Sequence, residues 1–488
     1  MSTRRFRMRP GITRRLAAAL AAAWFFLALV VTPSAQAGFF SFDLKDEKEL
    51  GEKFNAIIRA RMPLIQDTEI DNYVIGLLQR LIKVMPPQPF PFTVSIIANN
   101  SVNAFAGPGG YVFIFTGLLI NMDHESEVAG VLAHELGHVT QRHIAQRMEQ
   151  MKVLSIGQVM GMLAGVLIGS TSQNYDLGGA VAIGSQAAAA QTYLKYSRDN
   201  EREADNVGMN YLVAAGFRPQ GMEEAFETLQ RLKWLQGGGT IPTYLSTHPG
   251  LVERMSYLKD RIKLLPPSLL QRKENDAAFK RVQMLVRARY TDAKNAVAYF
   301  RKQPDQSNCF NKIGLAIALS RALENIHGAQ SAFEAALACA PSDPLVLREA
   351  GRYFLKIREF ARAKTLLQEA VRQSPTDIDA LFEYGRLLAQ EGNYRAALPY
   401  LQQVCMRAPD IGEIHAVYGQ ALGQAGDLFH AYLNLAYAAL YDNNKRQADF
   451  QMDRARSAAK SDADRRELVR LEETMKKRAA LLKTKSGF

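Results

Sequence analysis

Residues 131–143 read VLAHELGHVTQRH, an apolar run that carries three histidines and a glutamate. His134 and His138 are four residues apart. On a helix they lie on one face, one turn apart, so two imidazoles can reach one metal ion. Glu135 is displaced around the helix and can reach a water molecule at the metal without being a ligand. This HExxH spacing is typical of zinc peptidases, but the alternative is an ordinary helix with packed or solvated histidines.

A second helical segment, SRDNEREADNVG at 197–208, supplies the third protein ligand that a catalytic zinc ion requires. Glu201 and Asp205 are again four residues apart. Glu201 can complete a His, His, Glu set, and Asp205 can accept a hydrogen bond from the far nitrogen of a ligand histidine. Taken alone, the segment is better explained as a solvated acidic face that pairs with Arg198 and Arg202. The two helices together favour the metal site.

Length and composition indicate an ordinary globular protein. The chain has 488 residues, of which 48% are hydrophobic and 22% charged, enough for two to four domains. The formal net charge is +12, and six of these positive charges belong to arginines in the first 15 residues, which leaves +6 for the rest. No dense Lys/Arg stripe is interleaved with aromatic residues, so we expect no nucleic-acid partner. The mild positive charge is compatible with peripheral contact with an anionic membrane surface.

The N-terminus has the three parts of a secretory signal. Its arginines precede the apolar run LAAALAAAWFFLALVV at 16–31, and Ala35 and Ala37 form a small-residue cleavage site. We predict a cleavable signal peptide over 1–37. The alternative is an uncleaved membrane anchor over 12–31.

Residues 38–265 mix helices and strands. Apolar residues at helical spacing predict helices over 47–66 and 67–85. The β-branched and aromatic stretches 91–99 and 110–119 predict strands, and a glycine-rich turn between them suggests that the two strands pair as a hairpin. The motif helix follows, with Asp123 as its predicted N-cap.

Two further stretches shape the domain organisation. Residues 153–170 carry no charge over 18 residues, which is borderline for a membrane span, and we favour a buried or surface-docking helical hairpin. The sequence LLPPSLL around Pro266 and Pro267 is typical of a linker. We therefore predict a signal peptide at 1–37, a catalytic domain at 38–265 and a helical domain at 266–488.

The last part of the chain repeats with a period of 34 residues. Four classes of position keep this spacing: Pro341, Pro375 and Pro409; Gly351, Gly385 and Gly419; Ala363, Ala397 and Ala431; Phe360, Tyr394 and Leu428. This period and these residue types resemble tetratricopeptide repeats, helix–turn–helix units that stack into a solenoid and bind peptides or protein surfaces. The three cysteines, Cys309, Cys339 and Cys405, are compatible either with one disulfide and a free thiol or with three buried thiols.

The motifs HELGH and EREAD, with NAFAGPGGYVFIFTGLL upstream at 103–119, resemble the HtpX and CAAX-prenyl-protease class of zinc metallopeptidases. The signal peptide and the repeats make the chain similar to the periplasmic branch of that class. The resemblance implies an α+β peptidase domain, mostly helical with a small sheet, followed by an all-α solenoid.

The same resemblance implies roles for individual residues. It makes His134, His138 and Glu201 ligands of one Zn²⁺ ion, Glu135 the catalytic acid/base and Asp205 a supporting catalytic residue. The strand at 111–115 would be the edge on which an extended substrate lies. A further set would line the substrate cleft: Asn103, Ala104, Phe105 and Ala106.

Two other histidines differ in what the sequence predicts for them. His248, in the loop STHPG, either reaches the metal as a fourth ligand or regulator, or caps a turn before Pro249; both interpretations remain open. His143 lies beyond the ligand pair and is interpreted as a packing or surface residue.

Two functions from different classes remain open. The first is a periplasmic zinc endopeptidase that degrades misfolded or stalled outer-membrane proteins, with repeats that recruit protein substrates or the outer-membrane assembly machinery. The second is a chaperone or adaptor for outer-membrane protein assembly whose zinc site is normally closed.

Overall fold

The computed structural model describes residues 43–65, 67–150, 197–235, 243–322 and 326–483. The predicted signal peptide, the alternative anchor at 12–31 and the uncharged stretch at 153–170 lie outside these ranges. Among the residues inside them, no helix is both long enough and apolar enough to span a bilayer.

The first half of the chain is mostly helical with a small sheet, as the sequence predicts. Its helices are α1 (Leu44–Arg61), α2 (Thr68–Ile82), α3 (Thr116–Asn121), α4 (Glu125–Thr140), α5 (His143–Gln150), α6 (Arg198–Ala214), α7 (Gln220–Leu235), α8 (Thr243–Thr247), α9 (Leu251–Lys263) and α10 (Pro267–Leu270). Helix α2 illustrates the local cause. The Asp67 side chain accepts hydrogen bonds from the backbone N–H groups of Glu69 and Ile70, and the buried residues from Ile70 to Leu81 recur at helical spacing.

The sheet contains three strands: β1 (Thr93–Ile97), β2 (Ala104–Ala106) and β3 (Tyr111–Phe115). Their order is β1-β3-β2, with β1 parallel and β2 antiparallel to β3. The predicted hairpin between β1 and β3 is therefore wrong. The glycine-rich turn joins β3 to β2 instead, and Gly109 and Gly110 adopt positive φ angles of 72° and 84° there. Strand β2 is three residues long, too short to give a sequence signal of its own.

The second half is an all-α array, and its first helices pack against the first half of the chain. They are α11 (Ala277–Tyr290), α12 (Ala293–Arg301), α13 (Cys309–Arg321) and α14 (Ile326–Cys339). Asp276 directly precedes α11, and its Oδ1 accepts a 2.8 Å hydrogen bond from the backbone N–H of Glu125, at the start of α4. The helix that carries the HELGH motif is thus capped from the repeat side of the chain.

The 34-residue period corresponds to helix pairs, as predicted. They are α15 (Pro344–Lys356) with α16 (Phe360–Gln373), α17 (Ile378–Gln390) with α18 (Tyr394–Arg407), and α19 (Gly412–Gln424) with α20 (Leu428–Tyr441); α21 (Lys445–Ala458) and α22 (Asp462–Lys483) follow. A Cβ atom at Gly351 would come within 2.6 Å of the Leu367 side chain. Glycine at this position therefore lets the paired helices approach closely, and Pro375 follows the end of α16.

A disulfide joins Cys309 to Cys339, with 5.7 Å between their Cα atoms, and Cys405 is a buried thiol. This pairing corresponds to the first of the two cysteine interpretations. The largest hydrophobic core runs from Ile65 to Ala421 and includes residues on both sides of position 265. The domain boundary at 265 remains a prediction.

Candidate metal centre

Helices α4 and α6 pack against each other so closely that their metal motifs meet. A Cβ atom at Gly137, inside HELGH, would lie 2.6 Å from the carbonyl oxygen of Ala204. A Cβ atom at Gly208 would lie 2.7 Å from the carbonyl oxygen of Ala133. Only glycine at both positions allows this approach, so the two glycines set the distance between the histidine pair and Glu201.

Four side chains converge at this contact: His134, His138, Glu201 and His248. His248 directly follows α8, so the loop predicted around it is partly helical. Each of the four offers one ligand atom, all of these atoms lie within 4.8 Å of one another, and every residue is at most 1% exposed.

The spacing of these atoms fits a tetrahedral zinc ion. Ligand atoms about 2.0–2.2 Å from such an ion lie about 3.3–3.6 Å from one another. His134 Nε2 is 3.0 Å from His138 Nε2 and 3.6 Å from Glu201 Oε2, and His138 Nε2 is 3.5 Å from Glu201 Oε1. His248 Nδ1 is 3.3 Å from His134 Nε2 and 3.0 Å from Glu201 Oε1. The residues therefore fit the metal that the motif implies, and His248 lies where a fourth ligand would be.

The protonation of the two motif histidines also suits a cation. Burial, together with the nearby positive charge of Arg254, lowers the pKa of His134 to about 4. Burial likewise lowers the pKa of His138 well below its usual range, with a further effect from His134. Neutral imidazoles are the forms that bind metals. Burial raises the pKa of Glu201 to about 7, against the opposing effect of Arg254.

Outer residues hold the far nitrogens of both motif histidines. Asp205 Oδ1 lies 2.8 Å from His134 Nδ1, which is the contact expected from the sequence. Burial alone would raise the pKa of Asp205, but Arg254 holds it well below its usual value. Asp205 therefore stays ionised and orients the histidine.

His143 performs the same task for His138. It is buried, and its Nδ1 lies 2.8 Å from His138 Nδ1. Its Nε2 lies 3.1 Å from Glu203. The sequence interpretation of a packing residue did not include this contact, because the turn that directs the ring back toward α4 has no signature in the sequence.

The sequence gives no signal that Arg254 and Tyr257 belong to the site. Arg254, on α9, is 3% exposed and donates to both oxygens of Asp205 at 2.7 and 2.8 Å. Its Nη1 also lies 2.5 Å from Glu201 Oε2, without the alignment of a hydrogen bond. The Tyr257 hydroxyl donates to Asp205 as well. Their sequence context, LVERMSYL, resembles any amphipathic helix.

Glu135 faces strand β2, and its Oε2 accepts a 3.0 Å hydrogen bond from the backbone N–H of Ala106. Its Oε1 has no hydrogen-bond partner, and burial raises the pKa of Glu135 well above its usual value. Since Asn103 and Phe105 hydrogen-bond or pair with β3, the backbone groups of Ala104 and Ala106 point to the opposite side. The predicted substrate edge at 111–115 is wrong, because β3 is the central strand. The edge nearest Glu135 is β2, whose residues belong to the predicted cleft set 103–106.

The fold and the donor set at the site resemble those of a metallopeptidase domain. Residues 68–262 match the model of peptidase family M48, and residues 315–378 and 348–412 match a tetratricopeptide repeat model. The chain therefore contains a peptidase family M48 domain followed by tetratricopeptide repeats, which confirms the predicted fold class.

Individual proteins that are similar to this chain are proteases. The chain is 32% identical over 235 residues to the beta-barrel assembly-enhancing protease of Escherichia coli K12, covering 48% of this chain and 47% of that protein. It is 32% identical over 228 residues to the protein of the same name in Yersinia pestis, covering 46% of each chain. It is also 33% identical over 174 residues to metalloprotease YcaL of Escherichia coli K12, covering 35% of this chain and 63% of that one. The chain spans about half the length of the beta-barrel assembly-enhancing proteases it matches.

Solved structures match the chain less well. The one titled MamA MSR-1 C2 is 18% identical with a TM-score of 0.29, and it covers 34% of this chain and 95% of that one. A likeness of this size carries no argument about function.

Proposed function

We propose that this protein is a zinc-dependent endopeptidase of the bacterial periplasm that degrades misfolded or stalled outer-membrane proteins. The observation that carries the proposal is the buried set of His134, His138 and Glu201, with Glu135 beside it and one oxygen of Glu135 unpaired. This arrangement has the donor set and the free base that metal-assisted hydrolysis requires.

Each residue has a definite task in this reaction. Zinc held by the two histidines and Glu201 would supply a Lewis acid that acidifies a water molecule and polarises the peptide carbonyl. Glu135 accepts the proton as the water oxygen attacks the carbonyl carbon, and it then gives that proton to the leaving amine. Ala104 and the carbonyl group of Ala106 offer outward-facing backbone groups, on which an extended segment can pair as an added strand, while the Ala106 N–H is held by Glu135. This mode of binding favours unfolded segments, because a folded chain does not expose a free strand.

Location and clients rest on independent features. The predicted signal peptide at 1–37 supports export. The Cys309–Cys339 disulfide supports an oxidising compartment. The repeats support recruitment of clients or of assembly machinery, and relatives named for beta-barrel assembly suggest outer-membrane proteins as clients.

One observation favours a second candidate, a chaperone or adaptor with a closed zinc site. His248 Nδ1 lies within 3.3 Å of ligand atoms of both His134 and Glu201. Such a residue would fill the open position that a catalytic zinc needs for water. Complementation of a deletion strain by Glu135→Gln separates the two functions, since full rescue would leave proteolysis without a main role.

The direct experiment uses the chain from residue 38 onward. We expect about one zinc ion per chain and casein digestion that a chelator abolishes and added zinc restores. We expect faster digestion from His248→Ala. Unchanged cleavage together with unchanged zinc affinity in that variant would exclude His248 from the site. If neither the zinc-loaded wild type nor His248→Ala digests casein, the endopeptidase proposal fails.

A further inference from the structure

Tyr244, at the second position of α8, is buried beside the metal centre. It belongs to neither sequence motif and is not a proposed metal ligand, so its role at the site is unassigned. Its side chain is 0% exposed. The ring stacks on His248 with 4.4 Å between centroids and an interplanar angle of 23°, and its centroid lies 6.3 Å from that of His134. The tyrosine therefore forms part of the wall around the cluster.

The hydroxyl of Tyr244 has no hydrogen-bond partner. Among the described residues with a buried unpaired polar atom, Tyr244 is the only one whose side chain has a single polar atom. Leaving such a group unpaired destabilises the folded state, whereas phenylalanine would fill the same space without that cost. Packing alone therefore does not account for a tyrosine here.

The surroundings indicate what the hydroxyl is for. Glu135 Oε1 is likewise unpaired, and His248 Nε2 lies 3.5 Å from it. His248 thus stands between the general base and the metal ligands, with Tyr244 stacked against it. A substrate that displaces His248 would bring its peptide group into the space next to the phenol.

We propose that the Tyr244 hydroxyl donates a hydrogen bond to the carbonyl oxygen of the scissile peptide bond. The inference rests on the proposed endopeptidase function and assigns a catalytic residue within it. As the water oxygen bonds to the carbonyl carbon, the carbonyl π electron pair moves onto the carbonyl oxygen and the water proton moves to Glu135. The phenol keeps its proton and stabilises the developing negative charge. The C–N bond then breaks, and the proton passes from Glu135 to the amine.

The test is Tyr244→Phe, which removes only the hydroxyl and keeps the stacked ring. It is made in the wild-type chain and in His248→Ala, so that a closed site does not mask the effect. We expect kcat for labelled casein to fall about 10²–10³-fold in whichever background cleaves, with KM changed less than about threefold. We expect unchanged zinc affinity and a thermal midpoint that is equal or higher, because no hydrogen bond is lost.

The matched control is Tyr211→Phe. Tyr211 is a buried tyrosine on α6, and among the residues that the structure describes its hydroxyl hydrogen-bonds to Thr140, at 3.3 Å. We expect its kcat to be that of the wild type. If casein is cleaved but kcat of Tyr244→Phe is unchanged, the assignment of Tyr244 is wrong while the proposed function stands. A lower thermal midpoint with unchanged kcat would give the hydroxyl a structural role and also overturn the assignment. If no background cleaves casein with zinc bound, the proposed function fails, and this assignment fails with it.

Discussion

Two regions of the molecule bury charged side chains, and they differ in how many of the buried polar atoms are hydrogen-bonded. One is the metal centre. The other, here called the arginine network, lies where the repeats meet the start of α2 and consists of Asp67, Glu69, Arg289, Arg348, Glu349 and Asp377. Arg348 is 1% exposed and donates to Glu349, Asp377 and Glu69 at 3.0, 2.7 and 3.1 Å. Arg289 donates to Asp67 and Glu349.

The difference lies in how completely the polar atoms are paired. Within the arginine network, only Nε of Arg289 lacks a hydrogen-bond partner. At the metal centre, Glu135 Oε1 and the Tyr244 hydroxyl both lack one, as do Glu201 Oε2 and Arg254 Nη1, which lie 2.5 Å apart as an ion pair. A network with nearly all of its polar atoms paired holds two parts of the fold in one arrangement, whereas unpaired groups cost stability and remain available to a substrate. Substitutions in the two regions should therefore have opposite effects.

The largest expected effect is on catalysis, from Glu135→Gln. The amide can still accept the hydrogen bond from Ala106 but cannot take a proton, so we expect casein hydrolysis to fall about 10³-fold or more with zinc content unchanged. Stability should be equal or higher, because a buried carboxylate is removed. The control is Glu223→Gln. Glu223 is a buried glutamate on α7, outside the site, whose Oε1 lies 3.0 Å from Lys259 Nζ, and this variant should cleave normally. A clear loss of stability in Glu135→Gln would contradict the comparison.

The second test is Arg348→Met, which should act on stability instead. It leaves the carboxylates of Glu69, Glu349 and Asp377 without their shared cation, so we expect the free energy of unfolding to fall by about 3–5 kcal/mol in denaturant titrations. The specific activity of the folded fraction should stay within about twofold of the wild type. The control, Arg372→Met, removes an ion pair on an exposed side chain and should leave stability unchanged. If Arg348→Met were as stable as the wild type, the packing of the methionine side chain would compensate for the lost ion pairs, and the prediction would be wrong.

The third test concerns a histidine that supports the site without facing the metal. His143→Phe keeps a buried ring but loses the contact with His138 Nδ1, so we expect zinc affinity to fall about 10–100-fold in chelator competition. His415→Phe serves as the control, because His415 is a buried histidine of the repeats. Equal zinc affinity in both variants would return His143 to a packing role.

Sequence was sufficient where the physical cause is local or periodic. The repeats were predicted because each position class has one packing task, such as Gly351 allowing close approach to Leu367. The proposed metal ligands could be selected because pairs four residues apart share a helix face. Two such pairs, at 134 and 138 and at 201 and 205, were enough to suggest one site.

Sequence was insufficient where the cause is a contact between distant segments. Arg254 belongs to the site because it hydrogen-bonds to Asp205, 49 residues away in the sequence, and nothing in the sequence of its own helix indicates that partner. The order of the strands in the sheet depends on β2, which is too short to be predicted from its sequence. Tyr244 is identified only because its buried hydroxyl has no hydrogen-bond partner, which the sequence does not reveal.

The smallest expected effect tests whether burying a carboxylate without a cation destabilises the fold at all. Glu127 is 2% exposed on α4; its oxygens accept from the backbone N–H groups of Asp123 and His124 and from Thr228, and burial raises its pKa to about 7. Because the folded-state pKa is the higher one, the folded protein keeps a proton that the unfolded chain has lost, and the free energy of unfolding falls as pH rises toward 7. In Glu127→Gln the side chain does not titrate, so this pH dependence is lost. Its amide N–H can donate a hydrogen bond to the Thr228 hydroxyl, which in the wild type donates to Glu127. We expect equal stability near pH 4.5 and a gain of about 1–2 kcal/mol for the variant near pH 8, after allowing for solvent screening. Denaturant titrations at the two pH values measure this difference, and an equal pH slope in both proteins would show that the hydrogen bonds alone offset the burial of the charge.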